Sequence, residues 1–364
     1  MTVTHIIKYL YPVFGGMERV AEQIGDALKQ EDIREYKIFY KRDKNSDTKW
    51  ENTDADSTVI DPTFYYKAQP ISLFRGSVAL WKKFKAADVT IIHSPLPNLE
   101  VPLYFFSFLI KRRIICVMHA DPKDTRWEHA KGVLNFFYKQ FFKRCETVVF
   151  TNELNARQTV IPCKNKVVIN NGVKITAHPP RIFPEKTIYE ALFVGSFREY
   201  KGLRYLIDAL SFNSNIRINF VGSGEIFEEI KEYAHSKYDP SRTVFYGHVT
   251  DEELADIYNR CDVFVLPSID GSEAFGLVQI EAMSRGLPVI NTNLDTAVKY
   301  VSKHGETGIT VEPMKSEEIA MALKEILQKE NYELFSRNAI SRATMFSSEK
   351  MMTQYISLIK KEGE

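Results

Sequence analysis

Short apolar runs alternate with amphipathic stretches along most of the chain. Runs at His5–Leu10 and at 36–41, 57–60, 88–93, 114–119, 147–151 and 167–171 are rich in β-branched and aromatic residues and have strand length. Between them, helices are predicted at 17–30, 73–86, 99–111, 131–144 and 153–159. Val20, Ile24, Ala27 and Leu28, for example, fall on one face at helical spacing. After residue 187 the alternation restarts, with strands at 191–194, 216–221, 243–246, 263–266, 288–292 and 308–311. The helices between them show faces such as Leu203, Leu206, Ile207, Leu210, or Leu254, Ile257, Cys261 opened by a Thr250/Glu253 capping box. Further helices are predicted at 317–328 and 348–361. Strands alternating with helices predict parallel, doubly wound sheets, so the fold class is α/β.

The restart divides the chain. Residues 1–173 form a first domain, onto which a C-terminal helix at about 346–364 is expected to pack back, and 187–345 form a second. The segment 174–186 carries three prolines and little periodicity, and reads as a linker. A length of 364 residues agrees with two domains.

Composition mainly excludes. A net charge of +1 carries no nucleic-acid signature. Cys116, Cys145, Cys163 and Cys261 are scattered without a C-x-x-C pair, as expected of reduced thiols in a cytoplasmic protein. The N-terminus reads as a first strand and not as a signal peptide. The longest apolar stretch, Val101–Ile110, is shorter than the roughly 20 residues a membrane span needs.

The stretch from Cys261 to Asn293 carries the most chemistry. A buried strand, 263–266, ends at Pro267–Ser268, and a loop with Asp270 and Glu273 leads to a helix that begins near Phe275–Gly276. Helix starts present unpaired N–H groups and a partial positive charge, and a glycine there lets an anion approach the backbone. Glu273 in the loop and Glu281 in the helix would flank a bound diphosphate with two acceptors for sugar hydroxyls, as a nucleotide sugar requires. Two glutamates eight positions apart are ordinarily solvated, so the spacing alone does not decide.

Three other features stand beside it. The loop YPVFGG ending at Gly16 opens a helix, a phosphate-compatible turn that is equally an ordinary loop. His119 ends a strand at a carboxyl edge, where chemistry is usually placed, although a structural histidine is the commoner case there. Phe136, Phe137, Lys139, Lys143 and Arg144 give one helix an aromatic and basic character suited to a membrane interface. The plainer alternative is a core helix with a basic end that complements its dipole.

Taken together, Gly15–Gly16–Met17–Glu18, GSFREYKG at 195–202, GSG at 222–224, GHVTDEELADIYNRCDVFVLPS at 247–268 and EAFGLVQIEAMSRGLPVI at 273–290 resemble the family 4 retaining glycosyltransferases of the GT-B fold. The resemblance implies two Rossmann-like domains facing across a cleft, an acceptor domain first and a nucleotide-sugar domain second. It implies that Glu273 contacts the donor sugar near the reacting centre and that Glu281 holds the ribose. The amides of Ala274, Phe275, Gly276 and Leu277 would surround the diphosphate, and Lys201 would bind it. His119 would face the donor sugar, Gly16 would lie near phosphates or acceptor, and the base would sit near Gly222 and Val249. Where the family carries arginine after the first glycine, this chain has Ser196, with Arg198 two residues on as the available guanidinium.

The chemistry so implied is transfer of a hexose with retention of anomeric configuration, with no metal and no other cofactor. Fixed positive groups would stabilise the departing diphosphate, and that phosphate would take the acceptor's proton. The segment His119–Ala120–Asp121 and the basic helix that follows it resemble bacterial O-antigen and lipopolysaccharide enzymes, so GDP-mannose is the first donor to test, with UDP-N-acetylhexosamine or UDP-hexose as alternatives. Expected partners are the nucleotide sugar, a lipid-linked or glycan acceptor, and the inner face of the cytoplasmic membrane, where the protein would be peripheral; nucleic acid is not among them. A nucleotide-sugar epimerase and a silent membrane-binding subunit are the readings from other classes.

Overall fold

A computed structural model describes residues 1–7, 16–40, 57–60, 64–66, 69–71, 86–94, 113–119, 136, 139–159 and 161–361. The chain divides into two compact units, Met1–Asn171 with Glu349–Glu364, and Gly172–Ser348. Residues 174–186, which read as a linker, count within the second unit. Arg181 ties them to it by donating to the carbonyls of Tyr258, Cys261 and Arg285.

The first unit is built on a parallel sheet of seven strands. In chain order these are β1 (Thr2–Ile6), β2 (Arg34–Tyr40), β3 (Ser57–Ile60), β6 (Val89–Ser94), β7 (Arg113–Met118), β8 (Thr147–Phe150) and β9 (Asn165–Val168). They lie in the order β3-β2-β1-β6-β7-β8-β9. A short antiparallel pair, β4 (Phe64–Tyr66) with β5 (Gln69–Ile71), interrupts the alternation and has no counterpart in the sequence pattern. β1 begins earlier than the apolar run suggests, because Thr2 and Val3 already pair with β2 and β6. Threonine is β-branched and fits a buried strand, and Thr4 is buried here. Of the helices expected at 73–86, 99–111 and 131–144, residues 73–85, 99–111, 131–135, and 137–138 with Phe137, lie outside the described residues.

Both faces of this sheet are covered, as parallel sheets require. Alternation along the strands sorts the residues. Ile6, Ile38, Ile92, Cys116, Met118 and Phe150 pack with Phe141 and Phe142 on one face. Val3, Ile91, Ile115, Val117 and Val149 face the helix Gly16–Gln30 and the last helix, Ser348–Lys360, through Met351, Tyr355, Ile356 and Ile359. Arg113 donates to the carbonyls of Leu358 and Ile359 and pairs with Glu146. It thereby satisfies carbonyls that a helix end leaves without partners.

The second unit has six parallel strands: β10 (Tyr189–Val194), β11 (Ile216–Val221), β12 (Thr243–Gly247), β13 (Val263–Leu266), β14 (Val289–Thr292) and β15 (Gly308–Val311). Their order is β12-β11-β10-β13-β14-β15. The strands expected from the sequence are all present within two residues at either end. The helix Lys329–Ala343 was not expected. Its buried residues, Tyr332, Phe335, Ser336, Ala339 and Ala343, have helical spacing, but small and polar side chains hide it from a hydrophobicity pattern.

Candidate active site

The order of the second sheet sets the site. β10 pairs with β11 on one side and β13 on the other, so the chain direction of winding reverses between β10 and β13. Ligands of doubly wound sheets bind outside the carboxyl ends at such a point. The loops leaving these two strands are Gly195–Arg198, which runs into a short turn at Glu199–Lys201, and Pro267–Gly276. They are laced together. Ile269 N–H donates to the Tyr200 carbonyl at 2.8 Å. Gly202 has φ 65°, and a Cβ there would lie 2.2 Å from the Pro267 carbonyl oxygen, so only glycine lets the two loops approach.

Lys201 and Glu273 meet across this junction. Lys201 Nζ donates to Glu273 Oε2, and both residues are buried. The same carboxylate oxygen accepts from Ser268 Oγ at 3.0 Å. Ser268 is fully buried, and Thr292 on β14 donates to its carbonyl at 2.5 Å. The sequence pattern marked Ser268 only as the end of a strand, because nothing local shows that its hydroxyl turns toward Glu273. A cation, a carboxylate and a hydroxyl are thus fixed at the switch point by two different loops.

Gly276 follows, with φ 71°, as the N-cap of the helix Leu277–Ser284. The helix starts one residue later than the sequence pattern suggests. A Cβ on Gly276 would lie 2.7 Å from Gln279 Nε2 and from Leu266 Cδ2. Gln279 is itself buried, linked to Asn291 at 2.9 Å, so the cap rests on a filled polar core. Phe275 is buried and packs edge-on against Phe346 at 6.0 Å. Its side chain is therefore structural, and only its backbone can serve a ligand. Ala274 and Leu277 are half-buried, and the Ala274 carbonyl accepts from Ala297. Glu281, one helical turn and more from the cap, accepts from the Tyr258 hydroxyl at 3.2 Å. Tyr258 was not singled out from the sequence; it reads there as one more core residue of an amphipathic helix.

Four glycines, Gly195, Gly222, Gly224 and Gly247, lie where the ends of β10, β11 and β12 come together. A Cβ on Gly222 would lie 2.0 Å from the Gly195 carbonyl oxygen, and one on Gly224 2.3 Å from that of Phe197. Gly222 N–H donates to Gly247 O at 2.8 Å, and Phe197 N–H to Ser223 O at 3.0 Å. Val249, just beyond, is half-buried. Ser196 and Arg198 are exposed on this rim while Phe197 between them is fully buried. The Arg198 guanidinium makes no hydrogen bond or ion pair with another described residue.

The remaining residues lie in the first unit. Gly16 is the first residue of the helix Gly16–Gln30. His119 follows β7 directly; its N–H donates to Ser94 O at 3.0 Å. Its Nε2 lies 2.9 Å from His93 Nδ1, with the rings stacked 5.2 Å apart. Burial pushes the His119 imidazole down to about 3, and burial with the neighbouring His119 and His5 rings pushes His93 well below its ordinary range. Both are neutral at physiological pH. Of the aromatic–basic helix, Phe136, Lys139, Lys143 and Arg144 are exposed, whereas Phe141 and Phe142 are core residues. Among the described residues, no helix is long and apolar enough to cross a membrane. Nor do any three His, Cys, Asp or Glu form a group that could hold a metal ion.

Two doubly wound parallel sheets, each in its own unit, are the GT-B architecture of glycosyltransferases. A solved structure of Anabaena Alr3699/HepE in complex with UDP shares this fold with a TM-score of 0.80, 17% identity and coverage of 99% of this chain and 100% of its own. The sequence gathers the same way. Residues 174–343 match the family model of glycosyl transferases group 1. The D-rhamnosyltransferase WbpZ of Pseudomonas aeruginosa is 33% identical over 73% of this chain and 72% of its own length. The O-antigen chain mannosyltransferase C of Escherichia coli is 26% identical over 98% of both chains. The chain belongs to the group 1 glycosyl transferases.

Proposed function

We propose that the protein transfers a hexose from a nucleotide sugar to a lipid-linked or polysaccharide acceptor in bacterial surface-glycan synthesis, retaining anomeric configuration and using no metal. The observation that carries this reading is the Lys201–Glu273 pair at the switch point, one residue from each flanking loop. When the sugar–phosphate bond breaks, negative charge grows on the diphosphate. Lys201, Arg198 and the first amides of the helix Leu277–Ser284 supply positive charge for it, which is electrostatic stabilisation of the leaving group. These groups do the work a divalent ion performs elsewhere. Glu273, released from Lys201 as the lysine turns to phosphate, receives sugar hydroxyls. Glu281, steadied by Tyr258, takes the ribose. The departing phosphate accepts the acceptor's proton, so no enzymic base is needed, and His119 positions and polarises the sugar.

For the donor, the E. coli relative's name supports mannose, and GDP-mannose is the reading we favour. The UDP in the Anabaena structure supports the alternative of a UDP-sugar. Exposed Phe136, Lys139, Lys143 and Arg144 suit a peripheral position on the inner membrane face. The test is a panel of radiolabelled GDP- and UDP-sugars with a membrane lipid extract as acceptor, run with and without EDTA. Transfer of mannose to lipid, unaffected by EDTA, is expected. Turnover of a donor without acceptor would indicate an epimerase, and binding with no turnover a silent subunit. Loss of transfer on chelation would refute the metal-free mechanism.

A further inference from the structure

Four polar residues from neighbouring strands line up across the first sheet. Glu35 on β2, His5 on β1, His93 on β6 and His119 after β7 share one face. Register puts them there: His5 pairs with Lys37 and with Ile91, and His93 pairs with Val117, so residues 35, 37, 5, 93, 117 and 119 alternate onto the same side. That side is otherwise the apolar core under the helix Gly16–Gln30. His5 and His93 are fully buried. β1 and β6 flank the point at which this sheet's winding reverses.

The contacts form a ladder. His5 Nδ1 lies 2.8 Å from Glu35 Oε1, and its ring meets that of His93 edge-on at 5.5 Å. His93 Nδ1 meets His119 Nε2 at 2.9 Å. The helix above makes room at Gly25, where a Cβ would lie 2.6 Å from Glu35 Oε2. Burying such groups in an apolar core costs stability unless they are satisfied, and His5 Nδ1, His5 Nε2, Glu35 Oε1 and His93 Nε2 have no hydrogen-bond partner among the described residues. A stability role alone does not account for three histidines there.

We propose that His93, backed by His5 and Glu35, is a positioning residue that holds His119 in the tautomer with its proton on Nδ1, so that Nδ1–H is the ring donor that meets the substrate. The reasoning is one of proton placement. A neutral His93 has one N–H. Placed on Nε2, that N–H would be a buried donor with no partner among the described residues; placed on Nδ1, it is satisfied by His119 Nε2. Orphaned buried donors are the rarer and costlier arrangement. His119 Nε2 then accepts, and its own proton sits on Nδ1. The inference rests on the reading of His119 as a donor-sugar contact.

The test has two independent readouts. Long-range 1H–15N NMR of the full chain labelled at histidine is expected to show His119 with protonated Nδ1 and bare Nε2. His93→Phe should return His119 to a mixture of tautomers and lower kcat about tenfold or more at little-changed KM for the nucleotide sugar, the scale on which supporting partners act on the group they orient. His93→Asn, whose amide can occupy the Nδ1 position, should recover much of that loss, which a merely packing role would not. His119→Asn, with an N–H near the Nδ1 position, should be more active than His119→Gln. A protonated Nε2 in the wild type, or unchanged tautomer and turnover in a folded His93→Phe variant, overturns the proposal. If the expected tautomer is found but both His119 variants keep full turnover, the reading of His119 as a sugar contact fails, and the positioning role fails with it.

Discussion

Lys201 and Glu273 come from loops on opposite sides of the β10/β13 switch point, and their side chains close a buried ion pair at the carboxyl edge of the second sheet. The residue that reads from sequence as the diphosphate lysine and the one that reads as the sugar-binding acid are thus each other's partner. A diphosphate arriving there competes with Glu273 for the same ammonium.

Lys201→Met is expected to lower kcat about 100-fold or more, by analogy with the loss of an oxyanion donor. It should also destabilise the second unit by about 3–5 kcal/mol, because Glu273 is left buried without its cation. Adding Glu273→Gln should restore much of the stability and none of the activity. Denaturant titration and steady-state kinetics on the single and double variants separate the two effects; recovery of turnover in the double variant would speak against the leaving-group role.

Gly276→Ala is expected to weaken nucleotide binding. The left-handed backbone costs an L-residue about 1–2 kcal/mol, and the new methyl presses on Gln279 and Leu266. Relief of that pressure moves the first amides of the helix, where a phosphate would dock. Isothermal titration with GDP and UDP measures the loss; an unchanged Kd for both would place the nucleotide elsewhere.

Tyr258→Phe removes the hydroxyl that donates to Glu281. Without that hydrogen bond Glu281 should bind ribose less well, raising the donor KM about tenfold or more while kcat changes little, since a hydrogen bond to a carboxylate is worth about 1.5–3 kcal/mol. A fall in kcat at constant KM would put Glu281 nearer the reacting centre than the ribose.

The first unit should lose stability on acidification. His119, with a folded-state value near 3, binds no proton as pH falls below its ordinary 6.5, while the unfolded chain does. Stability is therefore full above about 6.5 and declines from there toward 3. Glu35 adds in the same direction. Burial raises its pKa, but the His5 hydrogen bond and the charges of His5 and Lys37 outweigh this and hold it below the ordinary 4.5. Its contribution is thus lost as pH falls through that lowered value. Melting temperature should drop between pH 7 and pH 4, and His119→Asn should flatten the drop; a pH-independent wild type would contradict the neutral, half-buried histidine.

Which residues belong to strands and helices was written in local pattern, because a parallel sheet covered on both faces needs continuous apolar runs and its helices need one apolar stripe. The positions of Lys201, Glu273, Gly276 and Glu281 in loops and at a helix start were legible for the same reason. The helix Lys329–Ala343 was not, since alanine and serine bury as well as leucine when the neighbouring helix approaches closely. Sheet order was not written locally either. The folding of β10 between β11 and β13 brings Lys201 to Glu273 across 72 positions, and in the first sheet the pairing of β1, β6 and β7 sets His5 and His93 on one face with His119. Those contacts join residues remote in the chain, and a periodicity that spans a few residues carries no information about which strands become neighbours.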